Sequence, residues 1–573
     1  LAGDPAVSRE QLRELTARAH AAVHRADWPE AALLWGQVVE RFPGHISAYV
    51  SAANALRACG ELDAAERILA RAAELFPGHG PVAVARGWTA NARRDWPEAL
   101  GRWEDVCARF PALPQGYNGM AQALRGAGRG TELEPFLAAA QARITAVAAA
   151  VQDGTDWRDA AFEVARLRAD WPGVRDWAEQ IIARDAAPAA AVFAGLAQAC
   201  WHLEDADAAA AAAERALAIN PALMDALLVL VRVVTARGDG EATLSLYQRL
   251  AALNPNASAW PLKRVQLLNW LGYLDESLDE AAQLLARWPD DPMVRVFLRN
   301  FGLAASLLPQ LGELPAPGLA HDPDAAERNE LQSLAAGAPA AGARAVIDVD
   351  PRRDVIIPDG SRAATAVLVF TGTNDAVAMP LPLFDRYMAP LDLTPVYLRD
   401  FHRLRYLAGI RALGGSYEET IGALRRMLRE RGFSRIYALG NCAGGFAAMR
   451  YGVELGAERI LVFDAPSFCP DEALTRLDQG QNFMRTRLQR RFGEDMTDLK
   501  PFLAARKSAA RIDVFYQIED PKKRIHAERL ADVPGVRLHA EPGLGDNRLL
   551  RRIALESENF SAWLAGLMPE GRA

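Results

Sequence analysis

The chain has 573 residues, of which 50% are hydrophobic and 24% charged, with a formal net charge of −7. At ~100–200 residues per domain this is material for several globular domains, and it excludes a mostly disordered chain. The mildly acidic balance offers no global attraction to nucleic acid or to an anionic membrane.

The five cysteines, Cys59, Cys107, Cys200, Cys442 and Cys469, are widely spaced and form no CxxC or zinc pattern. That argues against a disulfide framework and against a metal site, and nothing in the sequence calls for a cofactor. Residues 1–10 lack the apolar core of a signal peptide, although Leu1 is not a start methionine, so a lost upstream segment stays open. The longest uncharged apolar stretch, Ala186 to Ala197, contains Pro188 and Gly195. It falls well short of the ~20 residues a membrane span needs. The expectation is a soluble protein of a reducing, cytoplasmic compartment.

The first 300 residues repeat themselves. ADWPEAALLWGQVVERFP (26–43), GELDAAERILARAAELFP (60–77) and RDWPEALGRWEDVCARFP (94–111) end in Pro43, Pro77 and Pro111, 34 residues apart. Pro221, Pro255 and Pro289 keep the same step of 34, but eight residues out of phase with the first series. An irregularity is therefore expected near 145–190. Ala31, Ala65, Ala99 and Ala209 hold one register position, taken later by Thr243 and Ser277. A small residue lets two helices approach, and a proline stops the second helix because it has no N–H to donate.

A period of 34 with paired apolar helices resembles the tetratricopeptide repeat family. The resemblance implies an all-α solenoid over residues 10–304, its concave face lined by the first helix of each pair. Counting back from the terminal prolines places Asn54 and Arg57, Trp88 and Asn91, Gln198 and Trp201, Arg232 and Thr235, and Gln266 and Asn269 on that face. The same step adds Gln122 and Arg125. Each pair is three residues apart, hence on one side of its helix. Amides, arginines and tryptophans suit gripping a peptide or protein by its backbone, or else form a merely solvated surface. Cys59, Cys107 and Cys200 fall on repeat helices and read as inert core residues.

Proline, glycine and alanine dominate residues 305–345, read as a linker. Beyond it, strands are expected at 366–373, 394–398, 435–440, 459–466, 511–520 and 536–541, and helices at 416–432, 443–455 and 547–565. Strands alternating with helices predict an α/β domain over 346–567 with a mostly parallel, doubly covered sheet.

Within it, Gly440-Asn441-Cys442-Ala443-Gly444 joins a strand directly to a helix. This pattern matches G-x-S-x-G with cysteine for serine, and here the domain resembles the α/β-hydrolase superfamily. The resemblance implies a nucleophile elbow with Cys442 as nucleophile, and an oxyanion hole from the amide of Ala443 and that of Gly372 or Thr373. It also implies an acid after a later strand, matched by Asp520 with Glu519 as alternative. The family's histidine would follow the last strand, where this chain has Asp546 and Asn547. His402 in YLRDFHRL is the substitute base considered first. His526 reads as a solvated surface residue, and His539 falls inside a strand. The insertion 467–508 looks like a specificity lid, or a peripheral helical decoration.

Two functions stay open at this point. One is thiol-dependent acyl transfer, or hydrolysis of an ester, thioester or amide, on a small acyl or polymeric substrate delivered by the repeats. The other is a non-catalytic interaction scaffold with a degenerate hydrolase-like domain. Cysteine needs a base less than serine does, since some thiolate exists near neutral pH.

Overall fold

The computed structural model describes residues 5–150, 156–295, 325–339, 350, 352–359, 363–469, 479–506, 509–543 and 548–568. The chain divides into two compact units, Leu1–Leu230 and Val231–Ala573.

The first unit is a series of paired helices. They are α1 (Pro5–His24), α2 (Trp28–Arg41), α3 (Ile46–Ala58), α4 (Leu62–Leu75), α5 (Gly80–Arg93) and α6 (Trp96–Arg109), then α7 (Pro114–Gly126), α8 (Leu133–Ala150), α9 (Arg158–Leu167), α10 (Trp171–Arg184), α11 (Ala190–His202) and α12 (Ala206–Ile219). Asp27, Asp95, Asp170 and Asp205 cap the second helices of four pairs, each side chain accepting the amide three residues on. Each such cap satisfies one of the helix's free N-terminal donors. The turn before each of these caps holds a left-handed residue, namely Ala26, Arg94, Ala169 and Glu204. The small residues Ala31, Ala65, Ala99 and Ala209 are fully buried. Trp103, also fully buried, lies against Gly87 and Gly119, where an added Cβ would stand 2.7 and 2.3 Å from its ring. Helix α8 runs for 18 residues where α4 and α6 have 14. Cys107 and Cys200 are buried as expected of inert residues, but Cys59 is exposed at the C-cap of α3.

The division between units falls inside α13 (Met224–Ala236). In the second unit α14 (Gly240–Leu253), α15 (Ala259–Leu271) and α16 (Leu274–Arg287) continue the repeat pattern, with Thr243 and Ser277 fully buried at the small-residue position. The segment read as a linker is not one throughout. Helix Ala325–Gly337 lies within it, and Leu334 and Ala338 join the core of the sheet domain.

That domain is built on seven strands: β1 (Val355–Ile356), β2 (Thr365–Phe370), β3 (Thr394–Leu398), β4 (Arg435–Asn441), β5 (Arg459–Phe463), β6 (Arg511–Gln517) and β7 (Val536–Glu541). Their order is β1-β3-β2-β4-β5-β6-β7, with β1 antiparallel to β3 and every other pair parallel. Both faces are buried, so the inner strands are mostly apolar, with Asp513 and Gln517 as buried polar residues of β6. Leu368, Ala438, Val462 and Val514 face helices Tyr417–Glu430 and Ala443–Leu455. Val369, Leu439, Leu461 and Phe515 face Leu381–Met388, Leu549–Glu556 and Phe560–Leu567. The predicted helix 547–565 is therefore two helices. Edge strand β1, only two residues long, has no legible pattern. Among the described residues no helix is long and apolar enough to cross a membrane.

Candidate functional site

Open α/β sheets place their ligand sites beyond the carboxyl ends of the strands. Here that edge is where the backbone is strained. Asp375 and Ala378 after β2, Arg403, Arg405 and Tyr406 after β3, Cys442 after β4 and Asp464 after β5 all have positive φ without being glycine. Such strain persists only where surrounding contacts over-determine it.

Cys442 has φ 51° and ψ −123° at the step from β4 into helix Ala443–Leu455. Its amide donates to Phe463 O at 2.9 Å, and Gly445 N–H donates to its carbonyl at 2.9 Å. The two flanking glycines are sterically required. A Cβ on Gly440 would stand 2.1 Å from Gly444 O, and one on Gly444 2.1 Å from Phe370 O. Gly372 lies beside the turn without such a clash, since a Cβ there would be 3.6 Å from Cys442 Cβ. Cys442 itself is half-buried, whereas the rest of the turn is buried.

A crevice beside this turn is lined by Thr371, Gly372, Thr373, Asp400, Arg403, Arg405, Ala443 and Met484. Ala443, Gly372 and Thr373 thus line one crevice. Their amides are not equivalent, however. Gly372 N–H already donates to Ala376 O at 2.9 Å. The amides of Thr373 and Ala443 have no acceptor among the described residues. The crevice is too narrow for a water-sized sphere.

The loop after β3 supplies its charged wall. Asp400, Arg403 and Arg405 are each 4–5% exposed. Asp400 Oδ2 accepts the amides of Leu404 and Tyr406 at 2.8 and 2.9 Å, which holds the left-handed turn, while Oδ1 has no partner. Burial pushes its carboxyl up, against the Tyr406 amide and Arg403. Arg403 donates to both oxygens of Asp375 at 2.7 Å and to Asn269 Oδ1 at 2.8 Å. Burial works to lower its pKa, and Asp375 more than reverses that. Arg405 donates to Phe468 O at 3.0 Å, and its Nε has no acceptor. Burial pulls its guanidinium below the usual value, opposed by the thiols of Cys469 and Cys442.

The proposed acid and bases are placed as follows. His402 is half-buried beside Asp400, and burial lowers it, with Arg491, Arg411 and Arg487 acting in the same direction against Asp400. Asp520 is the N-cap of helix Pro521–Glu528, accepting the amides of Lys522 and Lys523 at 2.9 and 3.2 Å. Glu519 accepts the Gly543 amide. His526 is not a solvated surface residue. Its Nδ1 accepts Ser467 N–H at 3.2 Å, its ring lies 4.6 Å from Phe468, and burial drives it down to about 3. His539 bonds the fully buried Asp513 at 2.9 Å. Asp546 and Asn547 lie outside the described residues.

Sequence reasoning took only His402 from YLRDFHRLRYL and missed Asp400, Arg403 and Arg405 around it. The available signal was a dense run of charge directly after a wholly buried strand. Asp464 was missed as well. It is 1% exposed and accepts Gln517 Nε2 at 2.8 Å, and burial raises its carboxyl.

Among the repeat positions, Asn54, Gln122, Arg125 and Arg232 are exposed. Arg57 bonds Asn54 at 3.0 Å. Trp88 packs edge-on against Trp103 at 4.9 Å, and Asn91 accepts the Trp103 indole N–H at 3.1 Å. Gln198, Trp201 and Gln266 are half-buried. Asn269 is 4% exposed and Thr235 is 5% exposed, so neither presents an open groove surface.

No family model matches the chain, and no curated protein matches it in sequence. Solved structures do. The Cut9 and Hcn1 hetero-tetramer of the APC/C matches at 13% identity and TM-score 0.34, over 50% of this chain and 55% of that one. The chain thus spans about half the length of that protein. A tetratricopeptide repeat protein from Parabacteroides merdae matches at 11% identity and TM-score 0.30, over 45% of this chain and 100% of that one. PilF of Pseudomonas aeruginosa matches at 13% and 0.30, over 44% and 96%. The molecule combines a helical repeat region resembling tetratricopeptide-type solenoids with a mixed, mostly parallel α/β domain.

Proposed function

We propose that the α/β domain is α/β-hydrolase-like and performs thiol-dependent acyl transfer, or hydrolysis of an ester, thioester or amide, with Cys442 as nucleophile. The observation that carries this reading is the backbone of Cys442, at φ 51° and ψ −123° between two glycines that admit no side chain. A strained strand-to-helix turn at the sheet's carboxyl edge is the geometry of a nucleophile elbow.

In this reading the Cys442 sulfur adds to the acyl carbon while the carbonyl electrons move onto oxygen. The free amides of Ala443 and Thr373 receive that oxyanion, leaving Gly372 to provide clearance. Collapse forms the thioester and expels the leaving group, which takes the thiol proton by way of His402 and Asp400. Water or an acceptor nucleophile then releases the acyl group and returns a proton. Burial favours the neutral form of His402, the form that accepts a proton. Asp520 would act at a distance, by fixing the helix that carries His526. The insertion 467–508, through Met484, would act as the lid, and the exposed repeat residues Asn54, Gln122 and Arg125 would hold a peptide or protein partner.

The competing reading, a scaffold with a degenerate site, draws on three observations: the occupied Gly372 amide, the closed crevice, and Asp520 engaged as a cap. Iodoacetamide labelling and turnover of a generic thioester separate the two. Catalysis requires Cys442 to label ahead of the other four cysteines and Cys442→Ala to abolish turnover. His402→Ala should then lower kcat on the order of a hundredfold. Labelling without turnover leaves the scaffold.

A further inference from the structure

Arg405 is the arginine of the crevice wall that has no carboxylate partner among the described residues; its guanidinium lies 5.6 Å from the centre of the Phe446 ring. Arg403 beside it is held by Asp375, yet no described carboxylate pairs with Arg405. Two thiols, Cys442 and Cys469, are the acidic groups near enough to act on it. A guanidinium taken out of water without a counter-charge is strongly unfavourable, and this one also keeps its Nε–H unpartnered. Asp400, across the same wall, does not compensate it. Its Oδ2 is spent on two backbone amides, and Oδ1 is also unpartnered.

We propose that the crevice is an oxyanion-recognition subsite with Arg405 as its cation, taking a carboxylate or phosphate group carried by the substrate close to the bond that Cys442 attacks. The inference rests on Cys442 being the reactive residue of this edge and names the substrate class. A second feature favours an anion beyond Arg405. Helix Gln479–Arg491, which supplies Met484, carries Arg485, Arg487, Arg490 and Arg491 and no acidic residue. The crevice must widen to admit a group, and the flexible, unbranched thioether of Met484 in its wall suits that. Arg405 is a positioning residue for the substrate, set by the turn that Asp400 holds.

Alkylation by reagents of different charge tests this without any turnover. Rates for iodoacetate and iodoacetamide are measured at Cys442 and at exposed Cys59 in the same full-length chain. The iodoacetate-to-iodoacetamide ratio at Cys442 should exceed that at Cys59 by about tenfold or more, since a buried cation attracts the anionic reagent. Arg405→Gln should bring the two ratios together, and Arg405→Lys should retain the difference. Acetate or inorganic phosphate should slow iodoacetamide at Cys442 and not at Cys59, and the stronger protector separates the carboxylate from the phosphate arm. Equal ratios at the two cysteines in the unaltered chain, with no protection by either anion, overturn the subsite even if both variants fail to fold. Anion preference without thioester turnover keeps the subsite and removes the catalytic reading, whereas turnover without preference does the reverse. No reaction of Cys442 with either reagent overturns both.

Discussion

Asn91 and Asn269 occupy the same register position in two repeats, and their surroundings differ. In the first unit Asn91 accepts the indole N–H of Trp103 on the next helix and donates to Gly119 O on α7 at 3.5 Å, so its bonds stay among the repeat helices. In the second unit Asn269 accepts from Arg403, which belongs to the strained loop after β3 and also holds Asp375. Gly272, at the end of the helix carrying Asn269, has φ +82°, and an added Cβ would stand 2.9 Å from the carbonyls of Phe401 and His402. Arg487 donates to Trp270 O at 3.2 Å. The repeat motif supplies a polar group at a fixed place, and the neighbour decides whether it faces solvent, its own repeat or the candidate site.

The sharpest break of that contrast is glycine to alanine at two places. Gly444→Ala forces a Cβ to 2.1 Å from Phe370 O, whereas Gly36 in α2 has nothing within 4 Å. The first should destabilise by more than ~4 kcal/mol or abolish folding of the sheet domain. The second should stabilise by about 0.5–1 kcal/mol, the ordinary helix preference for alanine. Urea unfolding of both variants checks this, and a soluble, normally stable Gly444→Ala would refute the tight turn.

Next in size is the bridge from the repeat helix to the site loop. Arg403→Ala leaves Asp375 and Asn269 without their shared donor and should cost about 3–5 kcal/mol. Asn269→Ala removes one acceptor from a buried guanidinium and should cost about 1–3 kcal/mol. If Asn269→Ala is neutral, the difference between the two asparagines has no energetic content.

A pH dependence sharpens the picture of the sheet's carboxyl edge. His526 has a folded value of about 3 against an ordinary 6.5, through burial and the nearby charges of Arg405, Lys523 and Arg529. Between those values the unfolded chain binds a proton that the folded one does not. Its contribution is therefore fully present above pH 6.5 and is lost as pH falls toward 3. The slope from this group is at most ~1.4 kcal/mol per pH unit. Denaturant midpoints of His526→Gln should fall less steeply over that range than those of the unaltered protein.

The smallest effects belong to the first unit. Asn91→Ala should cost about 1 kcal/mol through the lost indole bond. Gln122→Ala and Arg125→Ala, both exposed, should stay within ~0.5 kcal/mol while weakening any partner held on that face. An equal loss for all three would put the same environment at each position.

Much of this architecture is legible in the chain. The step of 34 marks the helix pairs because capping aspartate, small residue and terminal proline are local requirements that recur with the repeat. The strands read as apolar runs because both faces of the sheet are covered, and β3 and β7 fall at their predicted bounds. The turn at Cys442 reads from two glycines whose need is steric and close in sequence. Helix Ala325–Gly337 is hidden by the proline- and glycine-rich sequence on either side of it, and β1 by its length.

Side-chain pairing over long sequence distances left no pattern to read. Arg403 meets Asp375 28 residues away and Asn269 134 residues away. Ser467 meets His526 across 59 residues. Periodicity and capping encode what a segment does with its own backbone. Whether a buried charge is paired, as in Arg403, or left facing a crevice, as in Arg405, depends on which strand ends the sheet order brings together.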